Sequence, residues 1–257
     1  MGGNFISYTF LESWSTLVAF SLSVYQVLAT CPSSIFERQA PQFQIISAAK
    51  TGSTSLYAYM CQNPSIKCLA KKKELNLLRS TNIKYRSEKV TLVSFLSVWA
   101  LKILVQERKR ALETYLKQGF GIEKTLNDTF VTFEASIHYY HYKVARDNMY
   151  ALLPCSKLVW MVRNPLPRAV SEYLHQAVKS QEYPTFESLI NKELDAISVC
   201  NKRMSIEFSG GFESNLFKCL AKFRLKKYML STGFYGYFMA AWLSKFPLEQ
   251  HLFLDYE

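Results

Sequence analysis

Residues 44–56 read QIISAAKTGSTSL, and residues 157–171 read KLVWMVRNPLPRAVS. Each segment begins with a short apolar run, passes through a polar turn and continues into a helical pattern. A short apolar run bounded by polar turns is typical of a strand that is buried on both faces of a parallel sheet. The two segments therefore predict two strand–turn–helix units of an α/β fold.

The remainder of the chain alternates in the same way. Apolar and β-branched runs predict strands at residues 129–133 and 251–256. The predicted helices cover residues 54–61, 90–118, 139–153, 167–180, 185–199 and 233–246. Strands that alternate with helices imply right-handed crossovers, so we expect a mostly parallel sheet flanked by helices.

The chain is predicted to divide near Pro41. Residues 41–257 form the predicted domain, and residues 1–40 form a hydrophobic segment followed by a linker. Residues 13–31 carry no charge and are long enough for a membrane anchor, but Ser, Thr and Gln dilute them and no basic residue precedes them. A signal anchor, a cleaved signal and a soluble N-terminus all fit this segment.

Composition limits the class of ligand more than it limits the fold. The chain has a formal net charge of +11 and 49% hydrophobic residues, which is enough for a sizeable core and excludes general disorder. The basic excess suits anionic ligands such as nucleotide phosphates, sulfated sugars, nucleic acids and acidic membranes. Nucleic-acid binding would rest on charge alone, because no recognisable motif accompanies it. The cysteines and histidines do not have zinc-ligand spacing.

Cysteines and one sequon bear on the compartment of the protein. The six cysteines are compatible with an oxidising lumen and equally with free, partly buried thiols. Cys200 and Cys219 are the preferred pair if a disulfide exists. Asn127 begins the glycosylation sequon Asn-Asp-Thr, which matters only if the chain enters the secretory pathway.

The first turn places anion-binding groups at the start of a helix. Gly52 lets the backbone approach a phosphate closely, and Ser53 and Thr54 add hydroxyl donors. Lys50 adds a positive charge that stabilises charge developing on a leaving oxygen. The turn is not the P-loop of nucleoside triphosphatases, because Gly-x-x-x-x-Gly-Lys is absent. A capped helix start without a ligand is the alternative.

The second turn begins with Arg163 at the end of a predicted buried strand. A charge in that place is costly unless it meets an anion, and the guanidinium fork suits a phosphate. Ser171 on the following helix is expected to reach the same phosphate. A structural ion pair between Arg163 and a carboxylate is the alternative.

These segments resemble the Golgi carbohydrate sulfotransferases. Residues 50–56 are similar to the loop that binds the donor's 5′-phosphosulfate, most of all in heparan sulfate N-sulfotransferase domains, where it reads Lys-Thr-Gly-Thr-Thr-Ala-Leu. Residues 153–171 resemble the segment that binds the donor's 3′-phosphate. Further similar segments follow in family order at residues 73–78, 133–136, 173–176 and 233–247.

The resemblance implies a P-loop-like sulfotransferase fold, 3′-phosphoadenosine 5′-phosphosulfate (PAPS) as the donor, and no metal. The implied donor-binding residues are Lys50, Thr51, Gly52, Ser53, Thr54, Ser55, Arg163 and Ser171. Lys50 is also implied to act in catalysis by stabilising the leaving phosphate. Glu74 is implied as the general base for the acceptor proton, and His175 as a contact of sulfate or acceptor. On local sequence alone, Glu74 fits a solvated carboxylate beside three lysines, and His175 fits a polar surface residue.

The resemblance also implies a carbohydrate or glycosaminoglycan acceptor and a lumenal position on a single-pass type II Golgi membrane protein. Two departures bear on activity. Ala135 stands where the family has a lysine that helps to hold acceptor or sulfate. Family domains continue beyond the last strand with a helix and a basic, glycine-containing loop, so the C-terminal part is expected to be truncated. A relative that binds nucleotide or glycan without turnover is therefore the alternative, and a kinase-like phosphotransferase is disfavoured by the absent P-loop motif.

Overall fold

A parallel sheet forms the centre of the protein. The computed structural model describes residues 40–68, 73–79, 98–119, 131–180, 182–204, 216, 219–223, 225 and 227–256. Within these residues five parallel strands are arranged in the order β2–β3–β1–β4–β5. They are β1 (Phe43–Ser47), β2 (Ile66–Cys68), β3 (Val131–Glu134), β4 (Lys157–Val162) and β5 (His251–Asp255). The predicted parallel α/β architecture is confirmed.

Helices connect and flank the strands. In the described ranges they are α1 (Ser53–Met60), α2 (Val98–Gly119), α3 (Lys143–Leu152), α4 (Pro165–Ala177), α5 (Phe186–Met204) and α6 (Tyr235–Leu243). Short 3-10 turns cover Leu77–Arg79, Ile137–His141, Ser231–Gly233 and Leu248–Gln250. The start of α4 is fixed by Asn164, whose Oδ1 accepts a hydrogen bond from the Leu166 N–H at 3.1 Å, and by Pro165, whose missing N–H costs nothing in the first turn.

Two local differences separate the structure from the sequence-based expectation. The helix expected over residues 139–153 is divided into the 3-10 turn Ile137–His141 and α3, because contacts from distant segments hold the turn. The indole N–H of Trp242, for example, donates to the Tyr140 carbonyl at 3.0 Å. Strand β2 was not expected, since a three-residue strand leaves almost no periodicity to detect.

The hydrophobic core lies on both faces of the sheet. On one face Ile46 and Trp160 pack with Trp242 of α6, and all three are buried. On the other face Ile45 and Val159 form a cluster with apolar residues of α1. Neighbouring residues of β1 and β4 therefore point to opposite layers, as a strand covered by helices on both sides requires.

Disulfides link elements at two edges of the fold. Cys61 after α1 is joined to Cys68 at the end of β2, and Cys200 of α5 is joined to Cys219. The preferred pair Cys200–Cys219 is thus confirmed, and Cys155 is disulfide-bonded as well. No helix in the described part of the chain combines the length and the hydropathy needed to cross a bilayer. The candidate anchor at residues 13–31 and the sequon at Asn127 lie outside the described residues.

Candidate functional site

The pairing of β1 with β4 brings the two motif segments together. Phe43 pairs with Lys157 and Ser47 with Met161, so both strands end at the same edge of the sheet. In open α/β sheets, ligands bind outside the carboxyl ends of the strands. A cavity of about 520 Å³ opens at this edge.

Most of the predicted site residues line this cavity. They are Lys50, Gly52, Ser53, Thr54, Ser55, Glu74, Arg163, Ser171 and His175. Thr51 is the exception, because it is completely buried beneath the turn. Its hydroxyl donates to the Ala48 carbonyl at 2.9 Å and lies 2.5 Å from the Ser47 hydroxyl oxygen. The Thr51 side chain therefore supports the turn and does not face the cavity.

The turn after β1 depends on two residues with a left-handed backbone. Lys50 has φ 70° and Gly52 has φ 86°. Lys50 bears a side chain in a conformation that L residues rarely adopt, which is a form of strain often found at functional sites. Gly52 is required for a second reason, because a Cβ at this position would lie 2.3 Å from Cδ2 of Tyr256. Any other residue at position 52 would therefore adopt a strained backbone and require the Tyr256 ring to move.

Two arginines from the second segment fix the carbonyls of the first turn. Arg163 Nη1 donates to the Lys50 carbonyl at 3.1 Å, and its guanidinium lies 4.7 Å from the centre of the Tyr256 ring. Arg168 is fully buried and donates to the Ala49 carbonyl at 3.2 Å and to the Met229 carbonyl. Arg163 therefore contacts the turn and also lines the cavity, whereas the buried Arg168 stabilises the turn and does not line the cavity.

Glu74 lies across the cavity between two basic side chains. Its Oε1 is 3.7 Å from Lys73 Nζ, and its Oε2 is 3.7 Å from His138 Nε2. Lys73 Nζ also donates to Thr54 Oγ1 at 2.8 Å and to Ser53 Oγ at 3.1 Å. Lys73 thus connects the carboxylate to the start of α1. Burial lowers the pKa of Lys73, and the charge of Lys50 lowers it further, while Glu74 opposes the shift.

A buried network holds the backbone two residues after Glu74. The Asn76 N–H, in a residue with φ 56°, donates to Ser136 Oγ at 2.9 Å, and Ser136 in turn donates to Glu134. Glu134 also accepts from the Tyr115 hydroxyl. Burial raises the pKa of Glu134, although the hydrogen bonds from these hydroxyls oppose the increase. The segment at 134–136 therefore positions Glu74 from below.

His175 and Ser171 lie on one side of α4 and both line the cavity. They are four residues apart, which places them on the same face of a helix. The Nε2 atom of His175 is 3.0 Å from Lys179 Nζ, another lining residue. The helix therefore adds a polar, partly basic wall opposite the start of α1.

Sequence reasoning gave no role to several residues at or beneath this site, among them Lys73, Arg168 and His138. Lys73 was noted in a basic run and in the segment 73–78 that resembles the family, and its position directly before Glu74 was a signal for a role at the site. Arg168 was noted within a similar segment, but its burial under the turn depends on the packing of α4. His138 carried no sequence signal, since its place beside Glu74 depends on the unexpected 3-10 turn.

This arrangement defines a parallel α/β protein with a polar cavity, lined by the Lys50 turn, at the carboxyl edge of its sheet. A family model described as a sulfotransferase domain matches residues 40–257. The chain therefore belongs to the sulfotransferase domain family, and the resemblance inferred from the motifs is confirmed.

Individual relatives are distant. The bifunctional heparan sulfate N-deacetylase/N-sulfotransferase 1 of Caenorhabditis briggsae is 25% identical over 231 residues, which are 90% of this chain and 22% of that protein. The human heparan sulfate glucosamine 3-O-sulfotransferase 3B1 is 27% identical over 130 residues, which are 51% of this chain and 27% of that protein. The chain thus spans about a quarter or less of the length of these relatives. The crystal structure of a sulfotransferase from Alicyclobacillus acidocaldarius is similar in fold, with a TM-score of 0.51 at 24% identity over 84% of this chain and 73% of that one.

Proposed function

We propose that this protein binds PAPS in the cavity at the sheet edge and transfers its sulfuryl group to a hydroxyl or amine of a carbohydrate acceptor. One observation carries the proposal: a single cavity is lined by the Lys50 turn, by Arg163 with Ser171, and by Glu74. Membership in the sulfotransferase family supplies the donor that fits such a lining.

The donor roles follow from charge and position. The first N–H groups of α1 have no partner within the helix and lie at its positive end, so they suit the 5′-phosphosulfate. Lys50 adds the charge that stabilises the leaving phosphate. Arg163 and Ser171 hold the 3′-phosphate across the cavity. Sulfuryl transfer then resembles phosphoryl transfer, in which positioning and electrostatics supply most of the rate.

Glu74 is the proposed general base. Its carboxylate lines the cavity and is held toward the start of α1 by Lys73. A base in this place takes the proton from the acceptor oxygen or nitrogen as the bond to sulfur forms. The Lys73 ammonium, which touches the turn and Glu74, also stabilises charge on the transferring group.

The proposed acceptor is of the glycosaminoglycan class, because two relatives are named for heparan sulfate. Lys179 and Lys227, which also line the cavity, suit an anionic sugar chain. The proposed location is the Golgi lumen, with residues 13–31 as a single-pass type II anchor. The disulfides Cys61–Cys68 and Cys200–Cys219 support an oxidising compartment.

A second candidate function is binding of nucleotide or glycan without turnover. Ala135 favours it, because this residue replaces the family lysine and is completely buried among apolar side chains. No charge from that position reaches the cavity. Glycan sulfation assays on the purified protein separate the two candidates.

Calorimetry with adenosine 3′,5′-bisphosphate, the desulfated donor, tests the donor site. We expect wild-type binding, and a loss of about 1.5–3 kcal/mol for Lys50→Ala and for Arg163→Ala, since each removes a hydrogen-bonding charge. Lys192→Ala and Arg110→Ala are matched controls, because both residues are exposed on helices away from the cavity lining. Absence of binding by the wild type would refute the sulfotransferase reaction and the nucleotide-binding form of the second candidate.

Sulfate transfer from PAPS to a panel of desulfated and N-unsubstituted glycosaminoglycans then tests the reaction. Transfer by the wild type supports the enzyme. Nucleotide binding with no transfer to any acceptor of the panel supports the second candidate.

A further inference from the structure

His138 lies on the wall between two cavities. It lines the cavity at the sheet edge and a neighbouring cavity of about 520 Å³ that is also lined by Arg79, Tyr142 and Lys227. Its imidazole is about two-fifths exposed, with a side-chain accessibility of 43%. His138 is therefore in contact with the proposed reaction site on one side and with a second, solvent-connected space on the other.

The Glu74 carboxylate has a different basic neighbour at each oxygen. Lys73 Nζ lies 3.7 Å from Oε1, and His138 Nε2 lies 3.7 Å from Oε2. Lys73 is anchored by two hydroxyl groups of the turn, so it serves as a fixed cation. His138 is the neighbour that can gain and lose a proton near neutral pH. Hydrogen bonds between catalytic groups are often long in structures without ligand and tighten when substrate binds.

We propose that His138 is the proton-relay partner of Glu74, taking the acceptor's proton from the Glu74 carboxyl group and releasing it to solvent through the second cavity. The inference rests on the proposed function, which supplies that proton. His138 acts through Glu74 and is not itself in contact with the acceptor.

With this relay, the bonds formed and broken and the acceptor's proton are all accounted for. As the acceptor oxygen or nitrogen forms its bond to sulfur, the bond between sulfur and the donor's phosphate oxygen breaks, and the acceptor's proton moves to Glu74. The proton then moves from Glu74 to His138 Nε2 and on to water. One proton is released for each sulfuryl group transferred, and Glu74 returns to its ionised form for the next cycle.

The charges around His138 suit a proton acceptor. Burial lowers the pKa of His138 below its ordinary value, and Arg79 and Lys227 lower it further, whereas Glu74 and Glu172 raise it. His138 is therefore neutral at neutral pH and ready to accept a proton. Its neighbour His141, with ring centres 6.2 Å apart, has a pKa lowered to about 3 by burial and stays uncharged.

The turn after β3 departs from the family at the same place. Ala135 stands at the family's lysine position and is buried against Ile45, Phe133 and Val159. The ionisable side chain that this turn places beside Glu74 is instead His138, three residues later. The proposed relay therefore assigns a function to the turn after β3, although this turn lacks the family's lysine.

Proton NMR of the four histidines tests the coupling without any need for turnover. The His138 signal is assigned by its loss in His138→Gln. We expect Glu74→Gln to lower the pKa of His138, because the carboxylate is one of the charges that raise it. The three other histidines should titrate as in the wild type. An unchanged His138 titration would overturn the pairing, whatever the activity.

Steady-state sulfation by the wild type and His138→Ala tests the relay itself. We expect kcat to fall roughly 10- to 100-fold, with KM for PAPS unchanged, and added imidazole to restore the rate. Lys50→Ala is the comparison variant, since imidazole should not restore its activity. A folded His138→Ala protein with wild-type kcat, or with a loss that imidazole does not reverse, would overturn the relay alone. Failure of the wild type to bind adenosine 3′,5′-bisphosphate would overturn the proposed function and the relay together.

Discussion

The two sides of the cavity are built in different ways. On the donor side, the Lys50 turn and Arg163 directly follow two neighbouring parallel strands, so their positions depend on local sequence and on the pairing of β1 with β4. On the acceptor side, Glu74 follows no described strand, and the residues after it are held by hydrogen bonds to distant positions, such as Asn76 N–H to Ser136 Oγ. The donor side therefore rests on strand pairing and on arginine contacts to the turn, while the acceptor side rests on a buried hydrogen-bond network.

This difference indicates which property, nucleotide binding or turnover, is more easily lost by mutation. The turn proposed to bind phosphate is retained when its few residues are retained. The base, in contrast, needs Ser136, Glu134 and Tyr115 to be in place beneath it. We therefore expect nucleotide binding and turnover to be separable by mutation, with turnover the more sensitive property.

Glu74→Gln is expected to have the largest effect. Removal of a general base lowers rates by about 10²–10⁴-fold. Because Glu74 is proposed to contact the acceptor and not the nucleotide, the affinity for adenosine 3′,5′-bisphosphate should stay close to that of the wild type. Steady-state sulfation and calorimetry measure the two effects, and retained transfer would remove Glu74 as the base.

Gly52→Ala is expected to disrupt the Lys50 turn on the donor side of the cavity. An L residue at φ 86° costs roughly 1–2 kcal/mol, and the added Cβ would meet the Tyr256 ring at 2.3 Å. We expect a lower free energy of unfolding in urea and weaker nucleotide binding. Gly236→Ala in α6 is the matched control, because a Cβ there meets nothing within 4 Å. Equal unfolding free energies and equal nucleotide affinities of the two variants would contradict the requirement for glycine at position 52.

Ser136→Ala is expected to disrupt the buried hydrogen-bond network on the acceptor side of the cavity. The change removes the acceptor of the Asn76 N–H and one donor to the buried Glu134, at a cost of about 1–3 kcal/mol in stability. We expect kcat to fall while nucleotide affinity is preserved, in contrast to Gly52→Ala. A parallel loss of both properties would show that the two sides are not independent.

The smallest expected effect is a pH dependence of stability due to Glu134. Because burial raises its pKa above the ordinary value of 4.5, the folded state binds this proton more tightly than the unfolded state. The resulting stabilisation is complete at pH values below 4.5 and is lost as pH rises through the folded-state pKa. Urea unfolding of wild type and Glu134→Gln across this range measures it. The wild type should lose stability relative to the variant as pH rises, and parallel curves would contradict the assignment.

The donor side could be predicted from sequence, and the acceptor side only in part. Strand β4 (Lys157–Val162) was predicted from the sequence, since residues 158–162 form an uninterrupted apolar run. Lys50, Gly52 and Arg163 followed because turns after parallel strands share one edge. Glu74 was found only through the family resemblance. Lys73 and His138 could not be placed, because their contacts depend on the Ile137–His141 turn and on bonds between distant segments.

In the proposed function, the two turns bind the two phosphates of one nucleotide. Calorimetry of adenosine 3′,5′-bisphosphate against adenosine 5′-monophosphate tests it most directly in wild type, Lys50→Ala and Arg163→Ala. We predict that the wild type prefers the bisphosphate, that Arg163→Ala loses this preference, and that Lys50→Ala weakens both ligands equally while keeping it. A wild type without preference, or an Arg163→Ala protein that keeps the preference, would contradict the claim.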